Sequence, residues 1–271
     1  MEENYWVEIM LALERRNIIV DRLNKDGRII VGSLAEEFNV SEETIRRDIE
    51  KLENDGIATK TYGGAVSNNQ KNKDLPYTIR KKANVDLKVK IAERVASLIN
   101  DGDQIMLDAS STSIFVARQI KNLKDITIIT NSVEILLELA DKSGWTILST
   151  GGTLREGAYS LSGSSAEKMI RDHHVDLAIC SAKGIDNLMG ITESNEKDAE
   201  MKKAIFTAAN KRILVLDSTK FDKISFIKVC DLKDVDVIVT DKDPGEVWRN
   251  RIKNAKVELM VYGECYEGIS N

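Results

Sequence analysis

The chain has 271 residues, a length that favours two domains of unequal size over a single one. Hydrophobic residues make up 42% and charged residues 31%, a balance typical of globular proteins and unlike that of disordered or fibrous chains. No apolar run approaches the roughly 18 residues of a membrane helix, and the N-terminus is acidic where a signal peptide would be basic. We therefore expect a cytoplasmic protein without a membrane partner.

The sequence indicates neither a metal site nor a disulfide framework. Cys180, Cys230 and Cys265 are far apart and form no CxxC pair, so we expect free thiols. His173 and His174 are adjacent, so they do not share one helix face as a pair of metal ligands would. We predict that the protein has no metal and no cofactor.

Residues 1–66 have the pattern of a small helical domain that ends in a β-hairpin. Apolar residues at helical spacing predict helices from Ala12 to Asn24 and around Leu34 to Phe38. Ser41 is a good N-cap for a third helix, which lies in the stretch VSEETIRRDIEKLENDG at residues 40–56. An alternating segment then runs into two glycines, as in a hairpin. The second and third helices form a helix-turn-helix pattern, and the hairpin would be its wing.

The third helix carries two adjacent arginines. Successive residues of a helix are turned by about 100°, so Ile45, Ile49 and Leu52 share one face, and Arg46 and Arg47 must point outward. The net charge of −5 argues weakly against nucleic acid as a partner. However, the acidic residues are spread along the chain, whereas basic residues are grouped on this helix and on the segment that follows the hairpin. The distribution of charge therefore matters more than its sum.

A polar stretch, SNNQKNKD, follows the first domain. We predict a linker at residues 67–82 and a second domain at residues 83–271. Continuous apolar strands alternate there with helices, which predicts an α/β domain with a largely parallel sheet buried on both faces. The predicted strands are residues 104–108, 126–130, 145–150, 175–181, 212–217, 235–240 and 257–262, and the predicted helices are residues 89–100, 113–122, 133–141, 166–171, 197–210 and 246–254.

Polar loops follow the predicted strands, and ligands of parallel sheets bind at the carboxyl ends of the strands. The sequence DASSTS at residues 108–113 follows the first strand, Asn131 follows the second, and Gly152 follows the third. The first two loops can equally be helix caps that bind nothing, and the glycines of the third by themselves favour a turn. Lys183 and Lys220 follow two further strands. Two lysines beside hydroxyl-bearing loops indicate a site for a small polar anion such as a phosphorylated metabolite.

These motifs resemble those of the DeoR family of bacterial transcription regulators. VSEETIRRDIEKLENDG followed by YGGA resembles the family's N-terminal winged helix-turn-helix, and LDASSTS, ITIITNS, STGG, SAKGID, GIT and LDSTKF resemble its C-terminal sensor domain. The resemblance runs from about residue 10 to about residue 241, with Tyr62 where the family usually has His and no Gly at Ala109 or Ser110. It implies a phosphosugar-isomerase-like α/β domain, double-stranded operator DNA as a partner, and a homo-oligomer, either dimer or tetramer.

The resemblance implies that Thr44, Arg46 and Arg47 contact DNA, and together with the positions of the polar residues it leads to two sets of predicted site residues. The predicted DNA contacts are Ser41, Thr44, Arg46, Arg47, Lys51, Lys60 and Tyr62. A phosphorylated sugar would bind the second domain and change operator affinity. Its predicted contacts are Asp108, Ser110, Ser111, Thr112, Ser113, Asn131, Gly152, Lys183, Asp186 and Lys220. The predicted function is that of a repressor of carbohydrate-metabolism genes, not of an enzyme.

Two alternatives stay open. The family's sensor domain is similar to ribose-5-phosphate isomerases, so one alternative is a sugar-phosphate isomerase with an accessory helix-turn-helix. In that likeness the isomerases' catalytic glutamate falls on Lys202 and a catalytic aspartate on Lys183, and a charged lysine cannot accept a proton from a sugar carbon. The other alternative is a DNA-binding protein whose large domain only assembles subunits.

Overall fold

The computed structural model describes residues 12–54, 57–67 and 76–264. The chain divides into two compact units, and the boundary lies between Pro76 and Tyr77. The predicted linker at residues 67–82 spans this boundary. Residues 68–75 lie outside the described residues, and Tyr77–Lys82 is a helix of the second unit. The limits of the two domains and of the linker stay a prediction.

The first unit has three helices and a three-stranded antiparallel sheet among its described residues. The elements are α1 (Ala12–Asp26), β1 (Arg28–Ile30), α2 (Val31–Glu37), α3 (Glu42–Asn54), β2 (Ala58–Thr61) and β3 (Gly64–Ser67). The strand order is β1-β3-β2, so the hairpin β2–β3 pairs through β3 with β1, the short strand that precedes α2. This arrangement confirms the predicted winged helix-turn-helix.

The second unit is built around a seven-stranded parallel sheet with the order β15-β14-β12-β9-β4-β5-β6. Its strands are β4 (Gln104–Leu107), β5 (Thr127–Thr130), β6 (Thr146–Ser149), β9 (Val175–Ser181), β12 (Ala209–Leu216), β14 (Val237–Thr240) and β15 (Glu258–Val261). The helices are α4 (Tyr77–Lys82), α5 (Val85–Ala96), α6 (Ser113–Gln119), α7 (Val133–Leu139), α8 (Ser164–Arg171), α9 (Glu196–Thr207) and α10 (Glu246–Asn254). Every predicted strand of this domain is found in the sheet, which confirms the α/β prediction.

Each face of the sheet has its own hydrophobic core, because successive residues of a strand point to opposite faces. Met106 and Ala178 pack with α8, α9 and α10 on one face. Ile105 and Leu177 pack with α5, α6 and α7 on the other. Burial on both faces explains why the strands are apolar at nearly every position.

Short elements missed by the sequence analysis flank the sheet. They are the hairpin β7 (Thr153–Arg155) with β8 (Ser160–Ser162), and a small antiparallel sheet of β10 (Gly184–Asp186), β11 (Gly190–Glu193) and β13 (Ile227–Cys230). These strands are short and contain polar or glycine residues, so they lack the continuous apolar run by which the strands of the parallel sheet were recognised. Within the described ranges, no helix is long and apolar enough to span a membrane.

The order of the strands places a crevice at the centre of the sheet. β4 and β9 are neighbours although the chain forms β5 and β6 between them, and it then continues outward on the other side through β12, β14 and β15. The connections of β4 and β9 leave their carboxyl ends in opposite directions, and such a switch point is where open parallel sheets bind ligands. The predicted effector residues that follow β4 and β9 therefore lie at this position.

Candidate functional site

Helix α3 has an apolar face in the core and a basic face in solvent. Ile45, Ile49 and Leu52 are buried, as the helical spacing predicts. The side chain of Arg47 keeps 76% of its surface exposed, and Lys51 is exposed in the last turn. This basic face can therefore enter the major groove of DNA without disturbing the packing that holds the helix.

The two arginines of α3 are paired with glutamates one helical turn away. The distance from Arg46 to Glu42 is 3.1 Å, and that from Arg47 to Glu43 is 3.4 Å. Exposed pairs of this kind contribute little to stability. DNA phosphates can therefore replace the glutamates as partners of the arginines.

The start of α3 is stabilised by its own side chains. Ser41 Oγ accepts a hydrogen bond from the Thr44 backbone N–H at 3.2 Å, and it lies 2.9 Å from Thr44 Oγ1. This is the expected N-cap. Both residues remain at the solvent-facing end of the helix, where a phosphate can approach.

The hairpin β2–β3 presents Tyr62 at its tip, fully exposed. A Cβ atom at Gly64 would lie 2.0 Å from the carbonyl oxygen of Ile29, so this position must be glycine for β3 to pair with β1. Lys60 on β2 contacts Glu50 of α3 at 2.6 Å, and its hydrogen bond lowers the pKa of that carboxyl. The wing is therefore connected to the helix that carries the arginines.

A buried carboxylate that sequence reasoning missed joins α3 to α1. Arg15 Nε donates to Asp48 Oδ2 at 2.6 Å, and Arg16 Nη1 contacts Asp48 Oδ1 at 3.2 Å. Buried charges must be paired, so these contacts help to determine how α3 lies against α1. Asp48 falls on the same helical arc as Ile45 and Leu52, a signal that could have identified it as buried.

In the second unit, the carboxyl ends of β4 and β9 meet at the buried side chain of Asp108. Its Oδ1 accepts hydrogen bonds from Ser113 Oγ at 2.5 Å and from the Ser110 backbone N–H at 3.2 Å. Its Oδ2 accepts a hydrogen bond from the Ser181 backbone N–H at 3.1 Å. The carboxylate thus joins the loop after β4 to the end of β9.

The hydroxyl-bearing loop after β4 is buried as a whole, including Ser111 and Thr112. Ser110 Oγ accepts a hydrogen bond from the Ser113 backbone N–H at 3.1 Å, so Ser110 acts as a helix cap. Thr112 stands at the N-cap position but makes no capping hydrogen bond with its side chain. The cap interpretation therefore accounts for only part of this loop.

Lys202 of α9 lies between two buried carboxylates. Its Nζ donates to Glu193 and to the Ser181 carbonyl oxygen at 2.6 Å, and it lies 3.3 Å from Asp108 Oδ2. Burial alone would lower the pKa of Lys202, but Glu193 and Asp108 outweigh burial and raise it. Burial would likewise raise the pKa of Glu193, but Lys202 and Lys183 outweigh it and lower it. The opposite charges in this cluster therefore favour the ionised forms of Lys202 and Glu193.

A second buried lysine, Lys88 of α5, lies at the same edge of the sheet. Its Nζ donates to the carbonyl oxygens of Arg80 and Ala83, in the last turn of α4 and just after it. Burial lowers the pKa of Lys88 to about 8, Asp217 opposes this shift, and three further cations add to it: Lys220, Arg80 and Lys183. The interactions show that several positive charges converge near the ends of β9 and β12.

Asn131, Gly152 and Asp186 make their contacts with nearby backbone. Asn131 Nδ2 donates to the Leu161 carbonyl oxygen at 3.0 Å. Gly152 has a φ of +96°, and a Cβ atom there would lie 2.7 Å from the Ser162 carbonyl oxygen, so the close approach is to its own chain. The Asp186 carboxylate accepts hydrogen bonds from the N–H groups of residues 188 and 189 in its own hairpin, which lower its pKa.

Comparison with known proteins identifies both units. The model of a DeoR-like helix-turn-helix domain matches residues 15–71, and that of the DeoR C terminal sensor domain matches residues 83–242. The chain belongs to the DeoR family of transcription regulators. Its resemblance to this family, seen first in the sequence motifs, is thereby confirmed.

Relatives within the DeoR family match nearly the whole chain. The HTH-type transcriptional regulator YulB of Bacillus subtilis is 38% identical over 93% of this chain and 98% of its own length. The transcriptional repressor GlcR of the same organism is 35% identical over 93% of this chain and 97% of its own. The L-fucose operon activator of Haemophilus influenzae is 35% identical over 84% of this chain and 91% of its own length.

The likeness to isomerases is distant. Ribose 5-phosphate isomerase A of Methanocaldococcus jannaschii aligns with 51% of this chain and 55% of its own, with 19% identity and a TM-score of 0.39. We draw no conclusion about function from it. The matches to the DeoR family, by contrast, cover both units of the chain.

Sequence reasoning missed Glu193 and Lys88 and gave Lys202 no part in the site. Lys202 of α9 contacts both Asp108, after β4, and Glu193, at the end of β11, and only the packed structure brings these segments together. Across the described part of the chain, no group of His, Cys, Asp or Glu is arranged to hold a metal ion. Cys180 and Cys230 are free thiols whose pKa values burial raises, and Cys265 lies outside the described residues.

Proposed function

We propose that this DeoR-family protein is a sequence-specific repressor of carbohydrate-metabolism genes, and that a phosphorylated sugar bound in its sensor domain controls its affinity for operator DNA. The family supplies the DNA-binding part. Two relatives support parts of the proposal: the name of one is that of a transcriptional repressor, and the name of the other, an L-fucose operon activator, refers to a carbohydrate operon. We also propose a homo-oligomer, dimer or tetramer, because paired recognition helices would read a symmetric operator.

The DNA-binding proposal rests on the exposed basic face of α3 opposite a buried apolar face. Arg46 and Arg47 would reach base edges or phosphates of the major groove, and Tyr62 would approach the backbone from the wing. The full set of proposed contacts is Ser41, Thr44, Arg46, Arg47, Lys51, Lys60 and Tyr62. The acidic residues elsewhere should keep non-specific binding weak and its dependence on salt shallow.

The effector proposal rests on one observation, the electrostatic interaction of Lys88 with Lys183 and Lys220 at the carboxyl edge of the sheet, where the serine loop also begins. A phosphate dianion is recognised by cations together with hydroxyl and N–H donors, and this edge of the sheet offers both. The buried cluster of Asp108, Lys202 and Glu193 would hold the serine loop in position. The other proposed contacts are Ser110, Ser111, Thr112, Ser113, Asn131, Gly152 and Asp186.

Isomerase activity is the weaker alternative. The lysine that falls where isomerases have their catalytic glutamate is Lys202, and two buried carboxylates keep it protonated. A protonated lysine cannot remove a proton from a sugar carbon. Turnover of ribose 5-phosphate that disappears in Lys220→Ala would nevertheless favour the isomerase over the sensor.

The proposal is tested by two linked measurements. A thermal-shift screen compares ribose 5-phosphate, glucose 6-phosphate, fructose 6-phosphate and fructose 1-phosphate with their unphosphorylated sugars. A ligand that binds only the folded protein stabilises it by about 2.7 kcal/mol at 100 times its Kd. DNA fragments captured from the source genome are then titrated with the protein, with and without the sugar phosphate that shifts its melting.

We expect one phosphorylated sugar to raise the melting temperature and to change operator affinity, while its unphosphorylated form does neither. Any control of DNA binding is limited by the difference in effector affinity between the two states of the protein. Operator affinity that is identical with every sugar phosphate at saturation would refute the allosteric part. A flat thermal screen would favour a large domain that only assembles subunits.

A further inference from the structure

Helix α4 covers the carboxyl edge of the sheet near β5. Tyr77, its first residue, donates its backbone N–H to the Gly157 carbonyl oxygen at 2.9 Å, and its ring lies 5.6 Å from that of Tyr159. Lys81 contacts Glu134, in the first turn of α7, at 2.5 Å. The helix is thus attached both to the β7–β8 hairpin and to the helix that follows β5.

The hydroxyl of Tyr77 is buried without a hydrogen-bond partner among the described residues. Burial raises the pKa of this hydroxyl, and Glu134 and Asp108 add to the shift, so it stays protonated and can donate. Tyrosine hydroxyls in protein interiors ordinarily find a partner. The described residues provide none for Tyr77, although polar groups surround it.

Two further buried polar atoms nearby also lack a partner in the described structure. They are Asn131 Oδ1 and Ser160 Oγ. Asn131 is bonded through its backbone and its Nδ2 to Leu161, and Ser160, the residue before Leu161, forms a β-bridge with Ser132. The unsatisfied groups therefore come from three segments that meet at the carboxyl edge of β5.

These groups complement the cations of the proposed effector site in chemical type. Lys88, Lys183 and Lys220 are suited to a phosphate, whereas a phenol, an amide oxygen and a serine hydroxyl are suited to the hydroxyl groups of a sugar. Lys88 links the cations to the uncharged polar residues, because it donates to carbonyl oxygens at the end of α4, the helix that begins with Tyr77.

We propose that Tyr77, Asn131 and Ser160 bind the hydroxyl groups of the effector's sugar part, and that Tyr77 thereby determines which sugar phosphate is recognised. This inference rests on the proposed function and adds its specificity.

The experiment compares the full-length protein with Tyr77→Phe and Ser160→Ala, each of which removes one buried hydroxyl and little else. Titration calorimetry measures Kd for the phosphorylated sugar of the panel that shifts the wild type, and for inorganic phosphate. We expect Kd for the sugar phosphate to rise about 3- to 10-fold in each variant, as the loss of one hydrogen bond predicts. Kd for inorganic phosphate should stay the same.

Thermal melting of the unliganded variants separates binding from structure. Because the two hydroxyls have no partner among the described residues of the unliganded fold, their removal should leave the melting temperature equal to or above that of the wild type. Tyr262→Phe is the matched control, since Tyr262 follows β15 at the opposite edge of the sheet. That control should leave the Kd for the sugar phosphate unchanged.

An unchanged Kd for the sugar phosphate in Tyr77→Phe would overturn the inference and leave the proposed function standing, with a buried water as the partner of these groups. A drop of several degrees in the unliganded melting temperature would also overturn it, because the hydroxyl would then be structural. If the wild type binds no sugar phosphate of the panel, the effector part of the proposed function fails, and this inference fails with it.

Discussion

The basic face of α3 and the carboxyl edge of β4 and β9 use the same types of charged residue in opposite ways. On α3 the arginines are exposed and paired with glutamates of the same helix. At the sheet edge Lys202 is buried between Asp108 and Glu193, which come from distant parts of the chain. Exposed pairs can exchange partners freely, whereas buried pairs cannot be broken without a large cost.

This difference teaches what each region can do. A surface that binds DNA must give up its internal partners for phosphates, so weak pairs suit it. A site that recognises one small molecule must keep its groups in place before the ligand arrives, so hydrogen-bonded buried charges suit it. Substitutions at the sheet edge should therefore lower the stability of the protein, whereas substitutions on the exposed face of α3 should weaken its binding to DNA.

The largest effect is expected from Lys202→Met. It leaves Asp108 and Glu193 buried without their shared cation, which should lower the free energy of unfolding of the second unit by about 3–5 kcal/mol. The free energy of unfolding is measured by urea denaturation, with circular dichroism as the signal. Lys203→Met is the matched control, because Lys203 pairs with Glu200 on the half-exposed side of the same helix. Equal stability of the two variants would show that the buried cluster is not a structural centre.

A smaller loss of stability is expected from Gly152→Ala. The methyl group would lie 2.7 Å from the Ser162 carbonyl oxygen, at a φ of +96° that other residues rarely adopt. We expect a loss of about 2 kcal/mol or more. Gly151→Ala, at a φ of +63° with open space around it, should cost about 1 kcal/mol. Thermal melting of both variants checks the order, and the reverse order would mean that the hairpin does not approach Gly152 so closely.

Arg47→Ala should weaken DNA binding and leave folding intact. We expect operator affinity to fall by about 1–3 kcal/mol, roughly fivefold to 150-fold, and the free energy of unfolding to change by less than about 0.5 kcal/mol. Fluorescence anisotropy measures the affinity. Arg171→Ala is the control, because Arg171 makes the same type of pair with Glu167 on α8 of the second unit. A comparable loss of affinity in both variants would remove α3 from its proposed role.

The smallest effect concerns pH. Lys88 has a pKa of about 8 in the unliganded protein, so affinity for the sugar phosphate should decline as pH rises from 7 to 9 and the ammonium loses its proton. The phosphate itself is a dianion throughout this range, since its second pKa is about 6. Calorimetry at several pH values measures the decline. In Lys88→Arg the charge persists, so the decline should disappear, and a decline of equal size there would assign it to another group.

The same shift has a consequence for stability. The unfolded chain keeps Lys88 at its ordinary pKa of 10.5, so between pH 8 and 10.5 the unfolded state binds more protons than the folded one. The contribution of this group to stability therefore increases as pH rises through that window. Urea denaturation at several pH values, compared with Lys88→Met, checks the sign.

Prediction from sequence succeeded where a local pattern carries the information. The apolar positions of α3 repeat with the period of a helix, so its buried face, and by subtraction Arg46 and Arg47, could be assigned without coordinates. The strands of the parallel sheet were found because burial on both faces makes them continuous apolar runs. The hairpin β7–β8 and the sheet of β10, β11 and β13 were missed, because their short strands contain polar or glycine residues and form no continuous apolar run.

The sequence by itself determined the two-part character of this protein, the family to which its motifs belong and the outward face of its recognition helix. Those properties depend on residues within a few turns of one another. Only the tertiary structure decided that Lys202 is held by Asp108 and Glu193, that Lys88 lies among the other cations, and that the buried hydroxyl of Tyr77 has no partner among the described residues. Such groups acquire their ionisation and their partners from segments far away in the chain, because burial and pairing are properties of the packed interior and not of local sequence.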